Sequence, residues 1–263
     1  MQDANKKEYD LLIQAKILDK IKFCKSKNKI VNTDFLDLYQ RGIAEKIIKQ
    51  EKITNYIFYG GRNENADRNV LIFYPEKLNL DLIKNNIKDI LEIVRIILPN
   101  DLKGKYEHRD YLSGIMKLGI KREKFGDIIV NSDGADIIVL KEIAEYIKMN
   151  LEQLIRFKKA KITIENIDEL LNKETEFEEF KIIISSNRLD NFISELAKCS
   201  RTKATEIIEE GRVFINSENE IRLSKKINEK DIITIRGKGK FVFDSIEKET
   251  KSGKVVVNIK KYI

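Results

Sequence analysis

The single histidine of this 263-residue sequence, His108, stands in His108-Arg109-Asp110, a triplet that supplies the catalytic base in protein kinases. That chemistry also needs a glycine-rich nucleotide loop upstream and Asp-Phe-Gly downstream, and the sequence has neither. One imidazole excludes every mechanism built on two. At the start of a helical pattern, His108 reads as a capping or surface residue. Cys24 and Cys199 are far apart and have no Cys or His at metal-ligand spacing, which argues against a zinc site or a disulfide framework. Gly60-Gly61 would cradle a phosphate only with a following helix N-terminus and a P-loop lysine, so it reads as a turn. No catalytic residue, metal ligand or cofactor is expected.

The cations carry more information. Arg236-Gly237-Lys238-Gly239-Lys240 alternates charge with glycine, so the backbone can approach a phosphodiester chain while the side chains reach adjacent phosphates. Arg188 and Arg201 precede or open two helical patterns, where guanidinium and free backbone N–H groups can meet phosphate oxygens together. Arginine adds a planar, bidentate fork that lysine lacks. A second, weaker group is Arg109 with the basic loop Lys121-Arg122-Glu123-Lys124, which lies between Gly119 and Gly126. The net charge of +7 is unevenly placed: residues 181–263 hold 18 basic and 12 acidic side chains, residues 1–180 hold 32 and 31. Phosphate attraction follows local clustering, so the last third reads as a polyanion-binding module on a nearly neutral body.

These residues need elements to position them. With 42% hydrophobic and 35% charged residues the chain reads as globular, of two or three domains. It shows neither an apolar run of membrane-spanning length nor a signal-peptide stretch, so a cytoplasmic protein without membrane contact is expected. Leu11, Leu12, Ala15, Leu18 and Ile21, then Leu36, Ile43, Ala44, Ile47 and Ile48, have helical spacing, with Thr33 or Asp34 placed to cap the second helix. Ile53 to Tyr59 and Asn69 to Tyr74 form a predicted hairpin around a long polar loop. From Asp89 to Ile167 the pattern is βαββαβ, the layout of ferredoxin-like and RNA-recognition domains. Its hairpin strand Ala135 to Leu140 carries no aromatic residue, which weakens base stacking on the sheet as a mode of RNA binding.

In the last third, Lys181 to Ser185 is a predicted strand. Leu189, Phe192, Ile193, Leu196 and Ala197 mark one buried helical face, and a second helix runs from Ser200 to Gly211. Short strands follow at Val213 to Asn216, Ile221 to Leu223, Ile232 to Arg236, Phe241 to Phe243 and Lys254 to Ile259. The fold class is α+β. Residues 1–80 are read as a helical and hairpin domain, 81–175 as a ferredoxin/RRM-like domain and 181–263 as an RNA-binding domain.

The ordered series Arg188-Leu189-Asp190, Ser200-Arg201 with Ala204, Gly211-Arg212-Val213 with Asn216, Asp231 and Arg236-Gly237-Lys238-Gly239-Lys240-Phe241 resembles the S-four RNA-binding domain, the αL fold. Ser217 and Lys230 depart from it, at positions where the family commonly has glycine. Upstream, Thr33 to Asp37, Tyr59-Gly60-Gly61, Phe73 to Glu76 and His108 to Ile128 resemble the YlmH family of bacterial RNA-binding proteins, with Leu38-Tyr39-Gln40 in place of a proline-containing turn. The resemblance implies RNA contacts at Arg188, Ser200, Arg201, Lys203, Arg212, Asn216, Arg236, Lys238 and Lys240, with secondary contacts at Arg109, Lys121, Arg122 and Lys124. It implies a monomer that binds structured RNA, rRNA or tRNA, on the large ribosomal subunit in ribosome-associated quality control. An RNA-modification enzyme, or an accessory factor docked by the same module, is the alternative. Synthetase, methyltransferase and pseudouridine-synthase signatures are missing from the sequence. A third reading makes the first two segments a partner-recruiting body tethered by the basic tail.

Overall fold

The computed structural model describes residues 2–61, 66–170, 177–216, 218–250 and 253–262. Ser217 lies outside the described residues, as does most of the polar loop after Gly61. The chain forms two compact units, residues 1–172 and 173–263.

The first unit opens with α1 (Gln2–Lys27), β1 (Val31–Leu36), α2 (Leu38–Gln50) and the antiparallel pair β2 (Tyr56–Tyr59) and β3 (Asn69–Phe73), with β3 between β1 and β2. The expected cap at Thr33 or Asp34 is corrected: both residues lie in β1. Val31, Thr33 and Phe35 are buried in alternation, and that two-residue period selects a strand. Thr33 Oγ1 accepts from Leu71 N at 3.0 Å, across the sheet. Asp37 caps α2 instead. Its carboxylate accepts from Gln40 N at 2.9 Å while Gln40 Oε1 accepts from Asp37 N at 2.9 Å, a reciprocal capping box.

After α3 (Leu80–Asn86) come β4 (Leu91–Ile97), α4 (His108–Lys117), β5 (Phe125–Asn131), β6 (Gly134–Leu140), α5 (Lys141–Leu151) and β7 (Lys161–Asn166). Their antiparallel sheet runs in the order β5-β6-β4-β7. On one face Val94, Ile96, Ile137 and Val139 pack with Tyr111 and Ile115 of α4 and Ala144 and Ile147 of α5. On the other, Ile93, Ile138 and Leu140 pack with Phe35, Val70 and Ile72 of the first sheet. Both faces are covered, so β6 is buried along its whole length and its side chains are apolar on both faces except at Asp136. Two glycines permit this approach: a Cβ on Gly126 would lie 2.6 Å from the Phe35 ring, and one on Gly61 (φ +96°) would lie 2.5 Å from Ile138 Cδ1. The segments on either side of residue 80 therefore share one core.

The second unit contains β8 (Phe177–Ile184), α6 (Leu189–Leu196), α7 (Arg201–Glu209), β9 (Val213–Ile215), β10 (Glu218–Asn219), β11 (Ile232–Ile235), β12 (Gly239–Glu249) and β13 (Val255–Tyr262). The sheet order is β10-β9-β11-β12-β13-β8. Leu189, Phe192, Ile193 and Leu196 of α6, with Ala204, Ile207 and Ile208 of α7, pack on Val213, Ile233, Ile235, Phe243 and Ile259. The N-terminal strand β8 closes the sheet by pairing with the C-terminal strand β13.

The expected strand at Ile221 to Leu223 is corrected to an irregular turn. Arg222 N donates to the Glu220 side chain at 2.9 Å, where a strand would donate to a neighbouring carbonyl, and Ile221 is left exposed. Arg222 clasps the same carboxylate at 2.6 Å, and this contact pushes the Glu220 pKa down to about 2. A carboxylate whose folded pKa lies below its ordinary value stabilises the fold above that value, and the contribution is lost as pH falls through the folded pKa. Glu220→Gln should therefore be less stable than the parent at neutral pH. The gap should close as pH falls from 4.5 towards about 2, read as urea midpoints against pH. A gap that stays constant over that range would sink the assignment.

Candidate nucleic-acid interface

Arg188 occupies the position before α6, where its extended backbone forms an isolated bridge with Lys226. Its guanidinium grips Asp190 through two bonds of 3.0 and 2.8 Å. That contact, more than any other, holds the Asp190 carboxyl below its usual range; Arg201 adds to the effect from the start of α7. Arg201 donates to Ser185 Oγ at 3.0 Å and lines a small cleft with Asn191, Ser194 and Lys254. Arg188 and Arg201, distant in sequence, thus meet around one carboxylate. Sequence reasoning missed Lys226 and Lys254 because neither lies in the motif series.

Ser200 is a helix cap, its hydroxyl accepting from Lys203 N at 3.2 Å. Lys203 pairs with Glu206 at 2.6 Å and feels the charge of Arg212. Arg212 joins a second cationic group. Its Nη2 donates to the Arg236 carbonyl at 2.9 Å, Arg236 N donates back to the Arg212 carbonyl at 2.9 Å, and Arg236 lies over the Phe214 ring at 5.0 Å. Gly237 (φ +79°) and Gly239 (φ +124°) then turn the chain into β12, placing exposed Lys238 between Arg236 and Lys240. Lys240 Nζ stands 5.1 Å from the Tyr262 ring centroid. Arg201 and Lys203 share the first turn of α7, and Lys203 is near enough to Arg212 to feel its charge.

Asn216 does other work. At φ +50° it donates to Asp231 at 2.8 Å and accepts from Ile232 N at 2.9 Å, so its amide holds the turn. Lys230, in place of a glycine, adopts φ +71° and keeps the left-handed backbone a glycine would take.

Family models match both units. Residues 187–233 match the S4 domain, and residues 90–170 match the family described as "Putative RNA-binding domain in YlmH". The chain thus carries a region similar to the YlmH RNA-binding domain followed by an S4 domain towards its C-terminal end. Over 229 residues it is 28% identical to "Ribosome-associated protein quality control protein P2" of Bacillus subtilis (strain 168), which covers 84% of this chain and 83% of that protein. It is also similar to the solved "Cell division protein ylmH from Streptococcus pneumoniae", at 18% identity and a TM-score of 0.46, covering 62% of this chain and 94% of that one.

The region matched over residues 90–170 turns neither sheet face to solvent at its centre, since helices cover one and β1–β3 the other. Bases cannot stack there. The secondary candidates gather at the ends of α4 and β5. Arg109 is exposed and pairs with Glu107 at 3.2 Å, and Lys121 is exposed. Arg122 is structural: it donates to the Phe125 and Gly126 carbonyls at 2.7 and 3.1 Å and lies 4.3 Å from the Phe125 ring centroid. Burial and neighbouring Arg68 hold its pKa down to about 10. Lys124 bridges Asp34 and Glu142 at 2.9 and 2.8 Å. His108 is the first residue of α4, and Glu107 holds the cap position. Its imidazole is held below the usual range by desolvation and by Arg122, against an opposing pull from Asp67.

Proposed function

We propose that this chain is a non-catalytic, monomeric, cytoplasmic RNA-binding protein that docks on the large ribosomal subunit and contacts rRNA or tRNA in ribosome-associated quality control. The observation that carries the reading is a pair of cationic groups in one unit: Arg188, Arg201 and Lys203 at two helix starts, and Arg212, Arg236, Lys238 and Lys240 at one glycine turn. Their cations are spaced along a backbone that comes close to the surface, which suits phosphates of folded RNA read by shape. The name of the Bacillus subtilis relative supplies the ribosome. In this reading residues 81–175 are a ferredoxin/RRM-like domain that lends secondary contacts from Arg109 and Lys121, residues 1–80 brace its sheet, and residues 181–263 supply the main affinity.

Co-sedimentation of the full chain with purified large subunits tests the proposal. The chain should pellet with large subunits at low salt and be released as salt rises, because phosphate neutralisation displaces counterions. Failure to pellet at any salt, or an equal distribution over small and large subunits, overturns it. Nucleoside analysis of total RNA incubated with the chain should match the untreated RNA; a new modified nucleoside overturns the non-catalytic part.

A further inference from the structure

We infer a nucleobase-stacking platform on the back of the second unit's sheet, formed by Tyr262 and Phe177 beside Lys240, which takes an unpaired base of the bound RNA. The platform lies outside the residues matched to the S4 domain, 187–233. It rests on the reading of the chain as an RNA binder.

The sheet's two faces differ. Ile233, Ile235, Phe241, Phe243, Val257 and Ile259 face the helices and form the core. Residues of opposite parity line the other face, and cross-strand register carries a row across it: Phe214 lies opposite Thr234, Thr234 opposite Lys240, and Tyr262 opposite Phe177. The Lys240 ammonium over the Tyr262 ring links the two halves of the row. Phe214 is fully buried, with Arg236 stacked on it. At the other end no comparable cover exists among the described residues: Phe177 is 39% exposed and meets Tyr262 edge to face, with centroids 4.9 Å apart.

The pair leaves aromatic surface open at the sheet edge, with Phe177 exposed and Tyr262 half-buried. Its neighbours favour a nucleobase. Lys240 follows Arg236 and Lys238 directly along the chain, so a strand whose phosphates lie on the 236–240 turn carries its next base towards Tyr262. The nearby carboxylates Glu178 and Glu179 are offset by Lys261 and Lys260, each at 3.5 Å. Proteins that hold single-stranded RNA combine such a cationic track with aromatic rings, since every base has a π-face.

The experiment compares two RNA probes, a blunt hairpin and the same hairpin with a short unpaired oligoadenosine tail, against the full chain and its variants. Tyr262→Ala should weaken binding of the tailed hairpin by about tenfold, the size of one base stack removed, and leave the blunt hairpin unchanged. Tyr262→Phe, which keeps the ring, should bind both as the parent does. Phe177→Ala should act in the same direction as Tyr262→Ala and guards against a local defect at the chain's end. If the parent binds both hairpins alike, or Tyr262→Ala weakens both or neither, the platform is overturned and RNA binding stands. If the parent binds neither hairpin, both readings fall.

Discussion

Replacing Arg236, Lys238 and Lys240 together with glutamine should lower affinity for structured RNA by about a hundredfold near physiological salt. Each neutralised phosphate contributes about 0.7 to 0.9 units to the slope of log affinity against log salt, which at that ionic strength amounts to roughly four- to fivefold per phosphate. Removing all three cations should flatten the slope by about two units or slightly more. The fold should survive. Arg212 holds the turn through the Arg236 main chain, which the substitutions keep, and the two glycines that shape the turn are unchanged. Salt titrations beside melting curves check the prediction. Loss of affinity with an unchanged slope would mean that the turn acts through shape rather than charge. An unchanged affinity would shift the interface to Arg188, Arg201 and Lys203. Single alanines at Arg188 and Arg201 should each have a smaller effect, because both guanidiniums share the field of Asp190 and part of their charge is already answered.

The sequence made some of this legible and hid the rest for physical reasons. The α6 face could be read because Leu189, Phe192, Ile193 and Leu196 all point into one core, so burial follows the helical period. The alternating cation-glycine run could be read because its two glycines are needed at positive φ. Strand β1 was hidden because Leu36 and the residues after it continue a helical period, and only the tertiary pairing of Val31 with Phe73 separates strand from helix. The turn at Ile221 was hidden because Ile221 and Leu223 alternate with a polar residue as in a strand until Glu220 takes the Arg222 amide. Asn216 and Ser200 belong to the motif series, yet their side chains satisfy backbone donors. A motif residue can be required for the shape of a site without touching what binds there.

The same distinction governs Arg95, a cation on a sheet that resembles an RNA-binding face. It lies directly across from Asp136 on the neighbouring strand and holds that carboxylate through two bonds of 2.8 and 2.9 Å, with a third to the Glu169 carbonyl at 2.9 Å. The Asp136 side chain is only 2% exposed, so Arg95 is its counter-charge rather than a reader of RNA. Removing one partner of a buried pair leaves an uncompensated charge, which typically costs about 3 to 5 kcal/mol. Arg95→Ala should therefore lower the melting temperature of the first unit by about 10 °C, given a few degrees per kcal/mol for a unit of this size. RNA affinity of the folded chain should change little. Replacing both residues with leucine should recover most of the loss, because a buried pair exchanged for apolar packing is often neutral. An Arg95→Ala chain that melts with the parent would remove the pair from the stability of this sheet. One that melts normally and loses RNA would reassign Arg95 to the interface.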